Sequence, residues 1–193
     1  MPERIHHPDL PEEILVSYQP ILIPKKGQDL NQFEAHSGSA LLKKSAKIWF
    51  SVHQMEIHAS KNEKPRAFIN SEEISVSFSH TNKALSAAIS KHFVVGCDME
   101  MERRAVHPKL MKRMKHDQEQ TDLYSRIAPI RIWTFKESAL KMIGTGLRKP
   151  MNSVKITRED SSQFSVEFDD GKRAKICSFQ HKQHWISICY SLV

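Results

Sequence analysis

A chain of 193 residues is long enough for one substantial core or two small subdomains. Its 39% hydrophobic and 26% charged residues are those of a globular protein, and no apolar run approaches the roughly 20 residues of a membrane span. The net charge of +7 is unevenly placed: residues 1–92 carry 11 Lys/Arg against 10 Asp/Glu, residues 93–193 carry 18 against 12. A basic second half favours phosphates, nucleic acid or an acidic protein, or serves solubility alone. The N-terminus, Met1-Pro2-Glu3-Arg4-Ile5-His6-His7, has no apolar signal-peptide core. Cys97, Cys177 and Cys189 are odd in number and scattered, which argues against a disulfide framework and for a reducing, cytoplasmic setting.

In chain order, residues 1–13 read as an irregular arm. Ile14–Tyr18 and Ile21–Ile23 are strand material interrupted by Pro20, and Pro24-Lys25-Lys26-Gly27 is a turn. Leu41, Leu42, Ile48 and Trp49 predict a helix over 38–52, capped near Ser37 or Ser39. Glu56-Ile57-His58 reads as a short strand and Asn62–Arg66 as a loop, because Pro65 biases Lys64 away from helix. Ile74, Val76 and Phe78 alternate with Ser75, Ser77 and Ser79, the period of a half-buried strand. With Ala84–Ile89 and Phe93–Asp98 they suggest an antiparallel meander.

From Arg103 to Lys115 there are six Lys/Arg and no acid, with an apolar edge of Leu110, Met111 and Met114 and Pro108 near the helix start. A second helix carries Trp133–Met142 and stops at Gly144 and Gly146. Val154–Ile156, Phe164–Phe168, Ala174–Cys177 and Trp185–Tyr190 read as strands, with Asp169–Lys172 a hairpin turn. The halves share a helix-plus-meander order without a sequence repeat.

Two clusters bear chemistry. Asp98 and Glu100 stand two apart at a strand end, so both fall on one face and repel unless a cation joins them. Hard oxygen ligands suit Mg²⁺ or Mn²⁺, and Glu137 supplies a third carboxylate. Lys141, four residues on from Glu137, shares its helical face and can meet a phosphate as a point charge. Taken alone, Asp98-x-Glu100 is equally a polar strand end and Glu137–Lys141 a surface ion pair. Ser79-His80 offers hydroxyl and imidazole to phosphate oxygens, or simply caps a turn. The eleven His and three Cys show no zinc spacing.

Gly96-Cys97-Asp98-Met99-Glu100, Trp133-Thr134-Phe135-Lys136-Glu137-Ser138-Ala139-Leu140-Lys141 and the pair Gly144, Gly146 occur in the order of the motifs of the 4′-phosphopantetheinyl transferase superfamily, which the chain resembles. Lys64-Pro65 and Ser79-His80-Thr81 look like that family's K-P and S-H-[ST] elements. Cys97 departs from the pattern, in a slot that more often holds Ile, Leu or Val. A free thiol there invites oxidation.

The resemblance implies an α+β, pseudo-duplicated fold of two similar subdomains, each an antiparallel sheet packed on a long helix. Residues 1–92 would form the N-terminal one, and residues 93–193 the one carrying the metal site. The length matches the single-chain, two-subdomain surfactin-synthetase-activating type. The implied activity is transfer of 4′-phosphopantetheine from coenzyme A to a serine of an apo acyl or peptidyl carrier protein, releasing 3′,5′-ADP. Asp98, Glu100 and Glu137 would hold Mg²⁺, or Mn²⁺. Glu137 would be the base for the carrier serine, and Lys141 would neutralise the diphosphate and protonate the leaving phosphate. Ser79 and His80 would touch the phosphates, with Lys64 near the adenine.

Glu119 sits where many members carry an acidic residue near the metal. Lys112 and Arg113 are candidates for docking an acidic carrier, as is Met114, which reads first as a core residue and second as a docking one, and Lys25, Lys26, Lys43 and Lys44 are candidates for the 3′-phosphate. The expected protein is a cytoplasmic monomer with no membrane or nucleic-acid partner. Two other readings stand beside it: a metal-dependent nuclease built on Asp98, Glu100, Glu137 and Lys141, and a non-enzymatic basic module that binds nucleic acid or an acidic protein through residues 103–115.

Overall fold

Alternating apolar residues build two antiparallel sheets in this computed structural model, which describes residues 1–21, 30–52, 54–58, 63–120 and 122–193. The first sheet contains β1 (Glu3–Ile5), β2 (Leu15–Pro20), β3 (Glu56–His58), β4 (Arg66–Ile69), β5 (Glu72–His80) and β6 (Ala84–Ser90), in the order β1-β2-β6-β5-β4-β3. The second contains β7 (Phe93–Met101), β8 (Val154–Arg158), β9 (Gln163–Phe168), β10 (Arg173–His181) and β11 (His184–Leu192), in the order β7-β11-β10-β9-β8. The helices are α1 (Leu30–Trp49), α2 (Pro108–Met114), α3 (Leu123–Arg126) and α4 (Pro129–Met142). The fold is therefore α+β, with a long helix on each of two antiparallel sheets.

The strand periods sort the side chains into layers. Leu85, Ala87 and Ile89 of β6 pack with Leu41, Leu42 and Ala46 of α1. Ala84 and Ala88 of the same strand face the opposite way, into a core with Val95, Cys97 and Met99 of β7 and Ile186 and Ile188 of β11. A third core joins Phe135, Ala139 and Leu140 of α4 to Ile156, Phe164, Val166 and Ile176 of the second sheet. Helix, sheet, sheet and helix thus stack as four layers around three apolar interfaces.

Several expectations change. The arm is not wholly irregular: Glu3–Ile5 pairs with β2, Glu3 opposite Tyr18. The first long helix begins at Leu30, ahead of the expected Ser37 or Ser39 cap. Arg66–Ile69 is a strand paired with β5. The expected strand residues Leu22 and Ile23, the turn at Pro24–Gly27, Asn62 of the loop, and Lys25 and Lys26 lie outside the described residues.

The three-strand meander is overturned. β5 and β6 pair, but β7 leaves them and pairs with β11, Asp98 opposite Ser187. The serine face of β5 explains the break, because it faces β7 rather than water. Ser75 Oγ accepts the Val95 N–H at 2.9 Å and Ser77 Oγ the Cys97 N–H at 2.9 Å. Hydroxyls therefore satisfy backbone donors on this edge of β7, where buried amides must find partners.

Candidate active site

β7 and α4 cross at Gly96. A Cβ on that residue would lie 2.0 Å from Ser138 O and 2.4 Å from Met142 N, so only glycine lets the helix backbone lie this close. Alternation then places Asp98 and Glu100 on the same side as Gly96, beneath α4, while Cys97 and Met99 point into the middle core. Helix α4 starts on Pro129 and ends where Gly144, at φ +78°, turns the chain. Thr145 N–H reaches back to Leu140 O at 3.1 Å, closing the helix end.

Lys141 projects from the last turn of α4 onto Asp98. Its Nζ donates to Asp98 Oδ1 at 2.7 Å and to Ser79 Oγ at 3.2 Å, and stands 3.4 Å from Glu137 Oε1. Ser79 Oγ in turn donates to Asp98 Oδ1 at 2.8 Å. Glu100 is held by Arg104, whose guanidinium also lies 5.5 Å from the Trp133 ring centre. Three carboxylates thus face two cations, which leaves one negative charge in excess. Among the described residues, Asp98 Oδ2 is buried without a hydrogen-bond partner, as is Trp133 Nε1.

The charges respond to this crowding. Burial raises Glu100 to about 7, helped by Asp98 and opposed by Arg104. Burial also raises Glu137, again with Asp98 adding and Lys141 subtracting. For Lys141, burial opposes the charge, but Asp98 and then Glu137 outweigh it, so the ammonium is held above its ordinary value.

These groups open into a cleft of about 1390 Å³ whose walls come from both sheets. Lys64, Pro65, Ser79, His80 and Thr81 line it on one side, and Asp98, Glu100, Arg104, Trp133, Glu137, Lys141 and Gly144 on the other. Leu147, 59% exposed, and Arg148 stand at its edge on a single 3-10 turn, Gly146–Arg148.

The donor set fits a hard divalent cation: three carboxylates, a buried orphaned carboxylate oxygen and an excess negative charge. The donors are not converged, and among the described residues no three His, Cys, Asp or Glu side chains form a ready-made cage. Lys141 stands between Asp98 and Glu137, and Arg104 covers Glu100.

The structure gathers Asp98, Glu100, Glu137, Lys141, Ser79 and His80 into one place and sends other expected residues elsewhere. Glu119 is buried beneath α4. Its Oε1 accepts Lys136 Nζ at 2.6 Å and Ile156 N–H at 3.0 Å, and its Oε2 accepts Tyr124 OH at 2.8 Å and His116 N–H at 3.0 Å. That carboxylate is saturated by protein donors and is not an open cation ligand. Met114 is fully buried in the α4 core, so it is not a docking side chain, whereas Lys112 and Arg113 are exposed. Lys43 and Lys44 lie on the outer face of α1, beside a separate shallow groove with Lys47 and Met55. Lys64 lines the cleft, but its ammonium is directed into the seam between the sheets.

Arg104 escaped the sequence reading. Its signal was its place four residues after Glu100, but that spacing implies facing side chains only on a helix, and here a strand ends. Arg148 at the cleft edge was missed for the same reason: a short 3-10 turn has no periodic signature.

No curated protein matches the chain. A family model matches residues 94–189, which run from β7 through α4 into β11 and take in nearly all of the second sheet. It is the model of the 4′-phosphopantetheinyl transferase superfamily, and the chain belongs to that superfamily.

Proposed function

We propose that this protein transfers 4′-phosphopantetheine from coenzyme A to a serine of an apo acyl or peptidyl carrier protein, releasing 3′,5′-ADP. Family membership supports phosphopantetheinyl transfer in general, with coenzyme A as co-substrate. The observation that carries the finer reading is the cluster of Asp98, Glu100, Glu137 and Lys141 at the floor of a cleft between the two sheets, with Asp98 Oδ2 orphaned.

Asp98, Glu100 and Glu137 would hold Mg²⁺, or Mn²⁺. When bound there, the cation supplies charge neutralisation for a diphosphate and raises the electrophilicity of its phosphorus. Glu137 accepts the proton of the carrier serine, directly or through water. Lys141 faces the diphosphate as a fixed positive charge. It neutralises the diphosphate and can protonate the leaving phosphate as it departs. Ser79 orients Asp98 and Lys141 through two hydrogen bonds. His80 and Thr81 line the wall where phosphates would lie.

The basic exposed side chains Lys112 and Arg113 suit docking of an acidic carrier onto a monomeric protein. The two subdomains would divide at residues 92 and 93, placing the whole carboxylate set in the second.

The test is incubation with coenzyme A, Mg²⁺ and several apo carrier proteins. The expected result is a mass gain of one phosphopantetheine arm on the carrier serine. No gain on any carrier, or full transfer by Glu137→Ala, overturns the reading. Cleavage of nucleic acid without coenzyme A would favour the nuclease instead. Salt-sensitive binding that survives Glu137→Gln would favour the basic module.

A further inference from the structure

Lys64 is an unusual cation for a cleft wall, because its charge points away from the cleft. Nζ donates to Val95 O at 2.8 Å, to Met142 O at 3.1 Å and to Ser75 Oγ at 3.2 Å. An ammonium has three protons, so each one has an acceptor inside the protein. The acceptors are two carbonyls and a hydroxyl, none of them charged.

They belong to three different elements. Ser75 is on β5 of the first sheet, Val95 on β7 of the second, and Met142 is the last residue of α4. Ser75 Oγ also accepts the Val95 N–H, so Val95 is held through both its backbone groups. Met142 O is at the negative end of α4, among the carbonyls that a helix leaves unpaired. The Lys64 stem passes under Gly144, where a Cβ would approach Lys64 Cβ to 3.2 Å.

We infer that Lys64 is a positioning residue rather than a coenzyme contact: it clasps the end of α4 to β7 across the seam. Glu137 and Lys141 ride on α4, Asp98 and Glu100 on β7, and the clasp sets one pair against the other. Burial pulls the Lys64 ammonium down to about 8. The titratable group facing it is Cys189 of β11, whose influence is in the opposite direction and whose own thiol burial pushes up. Ser75, Val95 and Met142 present no ionisable side chain, and Glu63 beside it is exposed. A neutral amine keeps two N–H groups, so deprotonation removes one of the three links.

The experiment compares the wild type with Lys64→Met and Ser75→Ala by coenzyme A titration calorimetry, steady-state transfer and thermal unfolding. The turnover measurement rests on the proposed transferase reading, and the other two do not need turnover. For Lys64→Met, coenzyme A affinity should stay within about twofold while kcat falls about tenfold. Ser75→Ala should lower kcat in the same direction by less. A tenfold loss of coenzyme A affinity with kcat kept would overturn the clasp and return Lys64 to the ligand.

The unfolding arm has a definite sign. The folded value of Lys64 lies below the roughly 10.4 of an unfolded lysine. Between the two the unfolded chain binds more protons, and stability rises with pH. Lys64→Met lacks that contribution, so wild-type Tm minus variant Tm should increase from pH 7 to pH 10. A Lys64→Met protein that unfolds at the wild-type temperature at both pH values overturns the inference even in a protein that shows no transfer.

Discussion

Helix α4 carries two lysine–carboxylate constellations five residues apart, and they differ in how their polar atoms are satisfied. Lys136 and Glu119 are both fully buried, 2.6 Å apart. Lys136 also donates to Val154 O, and Glu119 accepts three further hydrogen bonds. Lys141 and Asp98 are 2.7 Å apart, but Lys141 is a quarter exposed to the cleft and Asp98 keeps one buried oxygen without a partner. A saturated pair ties elements together. An unsaturated one, with a second and third carboxylate beside it, is built to receive something.

The largest stability effect should come from breaking the saturated pair. Lys136→Met leaves the Glu119 charge buried without its cation, which costs about 3–5 kcal/mol. Urea unfolding followed by circular dichroism measures it. Replacing both residues by apolar ones of similar volume should recover much of the loss. A cost as small as that of a surface substitution would mean that the pair is wet, and the contrast with Lys141 would fall.

The open cluster should behave in the opposite way. Glu137→Gln removes one of three crowded carboxylates, so unfolding should shift by less than about 1 kcal/mol. Transfer to an apo carrier should nevertheless fall at least about 10²-fold, the scale of a lost general base. Equal losses of stability and turnover would make Glu137 a structural partner of Lys141. Gly96→Ala tests the element that both constellations share. Its methyl meets the α4 backbone, so the helix must move off β7 at a cost of about 1–3 kcal/mol, read as a lowered Tm.

The sequence discloses the open cluster far better than the saturated one, and the reason is physical. Asp98, Glu100, Glu137 and Lys141 sit at fixed spacings on a strand and a helix, so their faces follow from local periods. The partner of Lys136 lies 17 residues away on a loop, and only tertiary burial makes that charge structural. Alternation revealed β5, β6 and the strands of the second sheet. It did not reveal β1 or β4, whose three and four residues are too few to show a period and whose register comes from their neighbours. The serines of β5 gave the correct strand and the wrong environment. A hydroxyl that faces a strand edge has the same sequence pattern as one that faces water. Met114 and Lys44 show the same limit, since a helix pattern says which residues share a face but not what covers it.

The smallest expected effect is none, and it concerns the thiol beside the metal-site motif. Cys97 follows Gly96 and precedes Asp98, so its sequence position invites oxidation. Alternation turns it the other way, into the core between the sheets, where it is fully buried beside Ser86 Oγ at 3.5 Å. Burial pushes its thiol up to about 12, and Cys177 also to about 12. At pH 8 only about one Cys97 in 10⁴ would then be the reactive thiolate, before access is considered. Iodoacetamide at pH 8 should therefore leave the folded protein without an adduct by mass spectrometry, and label all three cysteines once urea unfolds it. Rapid labelling of Cys97 in the folded protein would show that the seam between the sheets opens. In that case the four-layer packing that holds Asp98 beneath α4 would not be the resting state.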